Sequence, residues 1–166
     1  QYFLRGNLDD LLTDLKVVVE YSQQERLTLI TYRLLTEEDF ITNESLQESM
    51  KVSNVTIIQD IADIDKRLLD FDLKIERQKG YRISGDSVCK RRLLAILLTN
   101  SISVADFSAG NFGSFDILDV KRTQQASRIF ETYFTDFPDM DVKMKMFFAI
   151  LLSLLGQEQN ISNLPN

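Results

Sequence analysis

The sequence predicts a mainly α protein, in which a winged helix-turn-helix of three helices and a β-hairpin wing is followed by an α-helical bundle. Three observations carry this expectation. Two helix starts lie close together, and each pairs a cap residue with an apolar clasp: Thr42 between Ile41 and Leu46, and Ser53 between Val52 and Ile57. Beyond Ser53, Ile57, Ile61, Ile64, Leu68 and Phe71 recur at alternating steps of four and three, which puts them on one helical stripe. After Phe71 the period changes to two: Leu73, Ile75 and Arg77 alternate with Lys74 and Glu76, Gln78-Lys79-Gly80 supplies a turn, and Tyr81 to Gly85 alternates again.

The elements follow in order. Gln1-Tyr2-Phe3-Leu4-Arg5-Gly6 shares its pattern with Gly80-Tyr81-Arg82-Ile83-Ser84-Gly85, so residues 1–6 are expected to end a preceding winged unit, in a chain that is a fragment of a longer protein. Over 7–21 the stripe Leu8, Leu11, Leu12, Leu15, Val18 and Val19, capped by Asn7, predicts a linker helix. The winged helix-turn-helix is placed at 22–85. Its first helix runs from Gln24 to Leu35 with Leu27, Ile30, Thr31 and Leu34 on one side, and Glu37-Glu38-Asp39 form an acidic loop. A helix from Thr42 to about Met50 then turns through Met50-Lys51-Val52, with no room for a strand, into the helix starting at Ser53.

Residues 86–166 are expected to be helical throughout. Val88 to Asn100 carries Leu93, Leu94, Ile96 and Leu97 behind Lys90-Arg91-Arg92, and a loop holds Ser108, Gly110, Asn111, Gly113 and Ser114. Ile117 to Thr135 reads as a long amphipathic helix and Phe137-Pro138-Asp139 as a break. Asp141 to Leu155 is apolar enough to lie inside a bundle, and 156–166 is a polar, frayed tail.

Composition narrows the function. The chain of 166 residues is 44% hydrophobic and 27% charged, ordinary for a globular protein, and the run Met146 to Leu155 falls short of the ~20 residues a membrane-spanning helix needs. Histidine is absent, so the usual general base is missing, Cys89 has no imidazole partner and no Cys/His metal site can form. No glycine-rich phosphate loop appears. Neither an enzyme nor a cofactor is expected, and a single cysteine with no secretion signal suggests the cytoplasm.

The net charge of −6 opposes nonspecific coating of nucleic acid, but its distribution is uneven. Between positions 74 and 92 seven cations, Lys74, Arg77, Lys79, Arg82, Lys90, Arg91 and Arg92, face only Glu76 and Asp86. If Ile57 points at the core, Val55, Gln59, Ala62 and Lys66 point away, with Asn54 and Ile58 flanking. The DNA-contacting set is therefore expected to be Ser53, Asn54, Val55, Thr56, Ile58 and Gln59 on the helix, and Arg77, Lys79, Tyr81 and Arg82 in the wing. Gln59 could bond an adenine edge, Val55 or Ile58 touch a thymine methyl, and the wing cations grip phosphates. The alternative is a degenerate winged helix serving as a protein-contact or dimerisation module. From Ser53 to Phe71, Lys66 and Arg67 are outnumbered by Asp60, Asp63, Asp65 and Asp70, and an exposed Val55–Ile58 pair suits a protein partner.

Taken together, Glu25-Arg26-Leu27 with Ile30 and Leu34-Leu35, then Ile41-Thr42, Val52-Ser53, Thr56-Ile57, Asp60-Ile61, Leu73-Lys74-Ile75 and Gly80 to Gly85 resemble a family of bacterial transcription regulators. These carry tandem winged helices followed by phosphotransferase-regulation domains (PRDs), and include antiterminator-like (BglG-type) sugar-operon activators and Mga-type virulence regulators. The resemblance is best from about Glu25 to Arg92. It implies operator binding to double-stranded DNA, a homodimer, and a PRD-like domain at 86–166 of the kind that the sugar phosphotransferase system phosphorylates on histidine. Two features depart from the pattern. Asn54, Val55 and Gln59 stand where arginines are common, and the final apolar helix, near Phe148 to Leu152, has no histidine. Phosphotransferase-system proteins would thus act only through parts outside this segment.

Overall fold

The computed structural model describes residues 20–133, 135–136 and 139–162, with side chains to Gln157. The expected strand end at 1–6, nearly all of the linker helix at 7–21, and the last residues of the tail lie outside that range.

Helix α1 (Gln23–Thr36) opens on a capping box: the Glu25 amide donates to Ser22 Oγ at 3.3 Å, and the Ser22 amide donates to the Glu25 carboxylate at 2.7 Å. That second bond holds the Glu25 carboxyl below its usual range. Helices α2 (Asn43–Met50) and α3 (Asn54–Leu68) start where the sequence places them, with Thr42 Oγ1 accepting from the Ser45 amide and Ser53 Oγ from the Thr56 amide. Both apolar clasps close, since Ile41, Leu46 and Ile57 are buried and Val52 packs against the same core. The turn between the helices is made by Lys51 in the left-handed region, φ 54°.

Helix α3 ends at Leu68 rather than carrying its stripe through Phe71. A 3-10 turn over Leu69–Phe71 and a left-handed Asp72, φ 56°, redirect the chain into the hairpin, and Phe71 sits half-buried at the edge of the core. Strands β1 (Lys74–Arg77) and β2 (Tyr81–Ser84) pair antiparallel with Ile75 opposite Ile83 and Glu76 opposite Arg82. Period-two alternation thus delivers both isoleucines to the core. A bridge the alternation does not reveal completes the wing: Ile41 and Tyr81 exchange backbone hydrogen bonds of 2.9 and 2.8 Å. Gly80, φ 150°, is confined by that bridge, because a Cβ there would run into the Ile41 carbonyl oxygen.

The first core gathers Leu27, Ile30 and Leu34 of α1, Leu46 and Met50 of α2, the α3 stripe and the wing isoleucines. This is a winged helix-turn-helix, with four further helices behind it: α4 (Ser87–Ser101), α5 (Val104–Ala109), α6 (Val120–Tyr133) and α7 (Val142–Ser162). A second core forms around α7, which packs against α4, α5 and α6.

Four expectations for this half need correction. Ser108, expected in the loop, lies instead in a short helix, α5, capped by Ser103 and closed by Gly110 in the left-handed region. Helix α6 begins at Val120, not Ile117, because the Ile117 amide is committed to the Tyr32 hydroxyl and Asp119 accepts from the Arg122 amide at the new helix start. The buried apolar positions of α4 are Leu94, Ala95, Leu97 and Leu98, whereas Leu93 leans on the first core. Helix α7 runs on to Ser162 instead of fraying after Leu155, and it is not enclosed: Val142, Met144, Leu152 and Leu155 are exposed among the described residues.

Helix α1 belongs to both cores. Leu27, Ile30 and Leu34 enter the first, while Tyr32 enters the second, edge-on to Phe115 at 5.0 Å. Its hydroxyl donates to Asp116 at 2.9 Å and accepts from the Ile117 amide at 3.1 Å. Burial pushes the phenol up to about 12.

Candidate nucleic-acid interface

The first two turns of α3 divide sharply by exposure. Ile57 and Asp60 are fully buried, while Val55 is 74% and Ile58 52% exposed, and Ser53, Asn54 and Gln59 are open to solvent. Thr56 is half-buried, its hydroxyl 3.1 Å from that of Ser53. The outward residues expected from the helical step therefore lie on the outer face, with Lys66 further along it and Ala62 half-covered. Gln59 donates to Asp63 at 3.3 Å, which leaves its amide oxygen and second N–H available in the paired donor-acceptor arrangement that an adenine edge matches.

What fixes this face is an ion pair inside the helical trio. Asp60, 1% exposed, accepts two hydrogen bonds from the Arg26 guanidinium, at 2.8 and 3.2 Å, and Arg26 also reaches the Tyr21 carbonyl at 3.1 Å. The Asp60 bond raises the Arg26 guanidinium further above its ordinary value. The forked geometry satisfies both carboxylate oxygens, as a buried charge requires. From the sequence, Asp60 entered only the charge balance of the helix, as one of four acids between Ser53 and Phe71. The available signal was its position, on the apolar stripe between Ile57 and Ile64.

The wing cations are less free than their number suggests. Arg77 is bound to Asp65 of α3 at 2.9 Å, and the other Asp65 oxygen accepts from the Ile75 amide at 3.1 Å, so that one carboxylate fastens the wing's first strand to α3. Arg82 is paired with Glu76 across the hairpin at 2.7 Å and lies over the Phe40 ring at 4.4 Å. Its guanidinium holds the Glu76 carboxyl below the usual carboxylate range. Tyr81 is half-buried and its hydroxyl accepts from the Asn43 amide at 3.2 Å, linking the wing to α2. Lys79 stands exposed in the turn with no ion pair to the described residues.

A helix-turn-helix whose second helix presents an open N-terminal face, braced by a two-stranded wing, defines the class of the module. The chain belongs to the family of the Mga helix-turn-helix domain, whose model matches residues 12–104. It is also 54% identical over 159 residues to a Streptococcus mutans protein named "Putative transcriptional regulator MtlR". That match takes in 96% of this chain and 24% of the relative, so the chain spans about a quarter of the relative's length. No solved structure matches it. The family places the chain among bacterial transcription regulators rather than enzymes, as the sequence predicts. No described helix is long and apolar enough to cross a membrane.

Proposed function

We propose that this segment reads operator DNA in the cytoplasm as part of a larger, dimeric transcription regulator. Helix α3 enters the major groove, with Val55 and Ile58 meeting thymine methyls and Gln59 an adenine edge. Ser53, Asn54 and Thr56 at the helix start contact the backbone, Lys79 grips a phosphate, and Arg77, Tyr81 and Arg82 chiefly hold the wing in place. Helices α4 to α7 act as a PRD-like regulatory and dimerisation part. Having no histidine, they take no phosphohistidine themselves, and any phosphotransferase-system control acts through the rest of the protein.

The observation that carries the reading is the exposure of Val55 and Ile58 on the first turns of a helix whose opposite face is fully buried. Nothing in the fold requires apolar side chains there. A second reading keeps its footing on the same pair: two wing arginines are neutralised within the protein and α3 is net acidic, which suits a protein partner better than a polyanion.

Selection from a randomised duplex pool tests the proposal. Enrichment of a motif by the wild-type chain, abolished by Val55→Asp with Ile58→Asp, is the expected result. An unenriched pool, together with self-association that the same double variant abolishes, would establish the protein-contact reading instead.

A further inference from the structure

A cleft of about 360 Å³ opens in the helical half, between α5, α6 and α7. Its size falls at the lower end for small-molecule sites. The floor is apolar, made by Phe130 and Met146, both nearly fully buried. Deeper still, Thr123 is satisfied by the Ser153 hydroxyl at 3.1 Å and the Asp119 carbonyl at 2.7 Å, so the bottom of the cleft has no polar group left to fill.

The walls differ from the floor. Ser108 of α5, Gln124, Ser127, Arg128 and Glu131 of α6, and Lys145 of α7 all line the cleft, and none makes a side-chain hydrogen bond or ion pair with any described residue. Arg128 makes no ion pair with a described residue, although Glu131 follows it by one helical turn. Two cations from different helices therefore line one space with a single carboxylate among the lining residues, in a protein whose overall charge is −6. Such a wall attracts an anion against the sign of the whole molecule. Hydroxyls, an amide and a carboxylate beside it supply donors and acceptors for ligand hydroxyl groups.

We propose that this cleft binds a small hydroxylated organic anion, with Arg128 and Lys145 holding its charged group and Ser108, Gln124, Ser127 and Glu131 meeting its hydroxyls. The ligand joins α5 to α6, which otherwise approach each other mainly through α7. The site is independent of the DNA-binding reading, and neither depends on the other's outcome.

Isothermal titration of the full chain with glycerol 3-phosphate, gluconate, inorganic phosphate and glycerol tests it. Saturable binding of glycerol 3-phosphate or gluconate is expected, the stronger of the two showing whether the charged group is a phosphate or a carboxylate, with glycerol silent. Arg128→Ala and Lys145→Ala should each weaken binding by about tenfold or more, since each removes a charge-assisted contact. Their exposed positions leave the melting temperature unchanged. Glu131→Gln should narrow the preference for glycerol 3-phosphate over inorganic phosphate without weakening phosphate itself. Absence of saturable binding by both organic anions, equal binding of glycerol, or affinities indifferent to Arg128→Ala and Lys145→Ala would each overturn the proposal.

Discussion

The Arg26 guanidinium on α1 and the buried Asp60 carboxylate on α3 form a two-bond ion pair that sets how α3 sits on the rest of the domain. With Asp60 1% exposed, the pair is a commitment: neither partner can be removed alone without stranding a charge. Asp60→Ala should cost about 3–5 kcal/mol in urea unfolding. Replacing both together, Arg26→Met with Asp60→Leu, should recover most of that loss. A double variant as unstable as the single one would mean the helices are held by something other than this pair.

Gly80 is needed for the wing because the Ile41 carbonyl fills the space a side chain would take. Gly80→Ala should destabilise by more than about 1 kcal/mol. Gly156 in α7 offers the opposite case, with open space where its Cβ would go. Gly156→Ala should stabilise by roughly 0.5–1 kcal/mol. Paired denaturant curves check both signs.

Tyr32 predicts an alkaline signature for the joint between the two cores. Its phenol lies at about 12 in the fold against 10.0 ordinarily, so the unfolded chain releases the proton first as pH rises. The stabilisation is complete below pH 10 and lost through about 12. Melting temperature should fall more steeply over that window in the wild type than in Tyr32→Phe. At neutral pH the variant should lose about 1–2 kcal/mol, because the Ile117 amide loses its acceptor.

Much of this architecture is readable along the chain because its causes are local. The caps at Thr42 and Ser53, the stripe from Ile57 to Leu68 and the switch to period two after Phe71 each depend on neighbours within a turn or two. What escaped is non-local. Asp60 and Arg26 are 34 residues apart, Tyr32 meets Asp116 across 84, and the Ile41–Tyr81 bridge forms only when the hairpin folds back. The wing cations were readable as a cluster but not as partners, since Asp65 and Glu76 reach them only in three dimensions. In the helical half, apolar residues on nearly every face of α7 blurred which side is covered, and the capped turn at Ser103 was too short to register as periodicity.

For the wing, the ion pairs rank the cations proposed to contact phosphates, with Lys79 first. Lys79→Ala should lower the salt slope of DNA binding by about one, while Arg77→Ala should act mainly on stability by releasing β1 from Asp65. Equal slopes for Lys79→Ala and wild type would place the phosphate contacts elsewhere on the surface.

The central claim is that the outer face of α3 reads base edges. Fluorescence anisotropy of a selected duplex, titrated with wild type and Gln59→Ala and repeated with each base pair substituted, tests it most directly. The account predicts that Gln59→Ala relaxes preference at one position by roughly 1–3 kcal/mol and leaves nonspecific affinity unchanged. Uniform weakening across all duplexes, or an unaltered preference at every position, would contradict it.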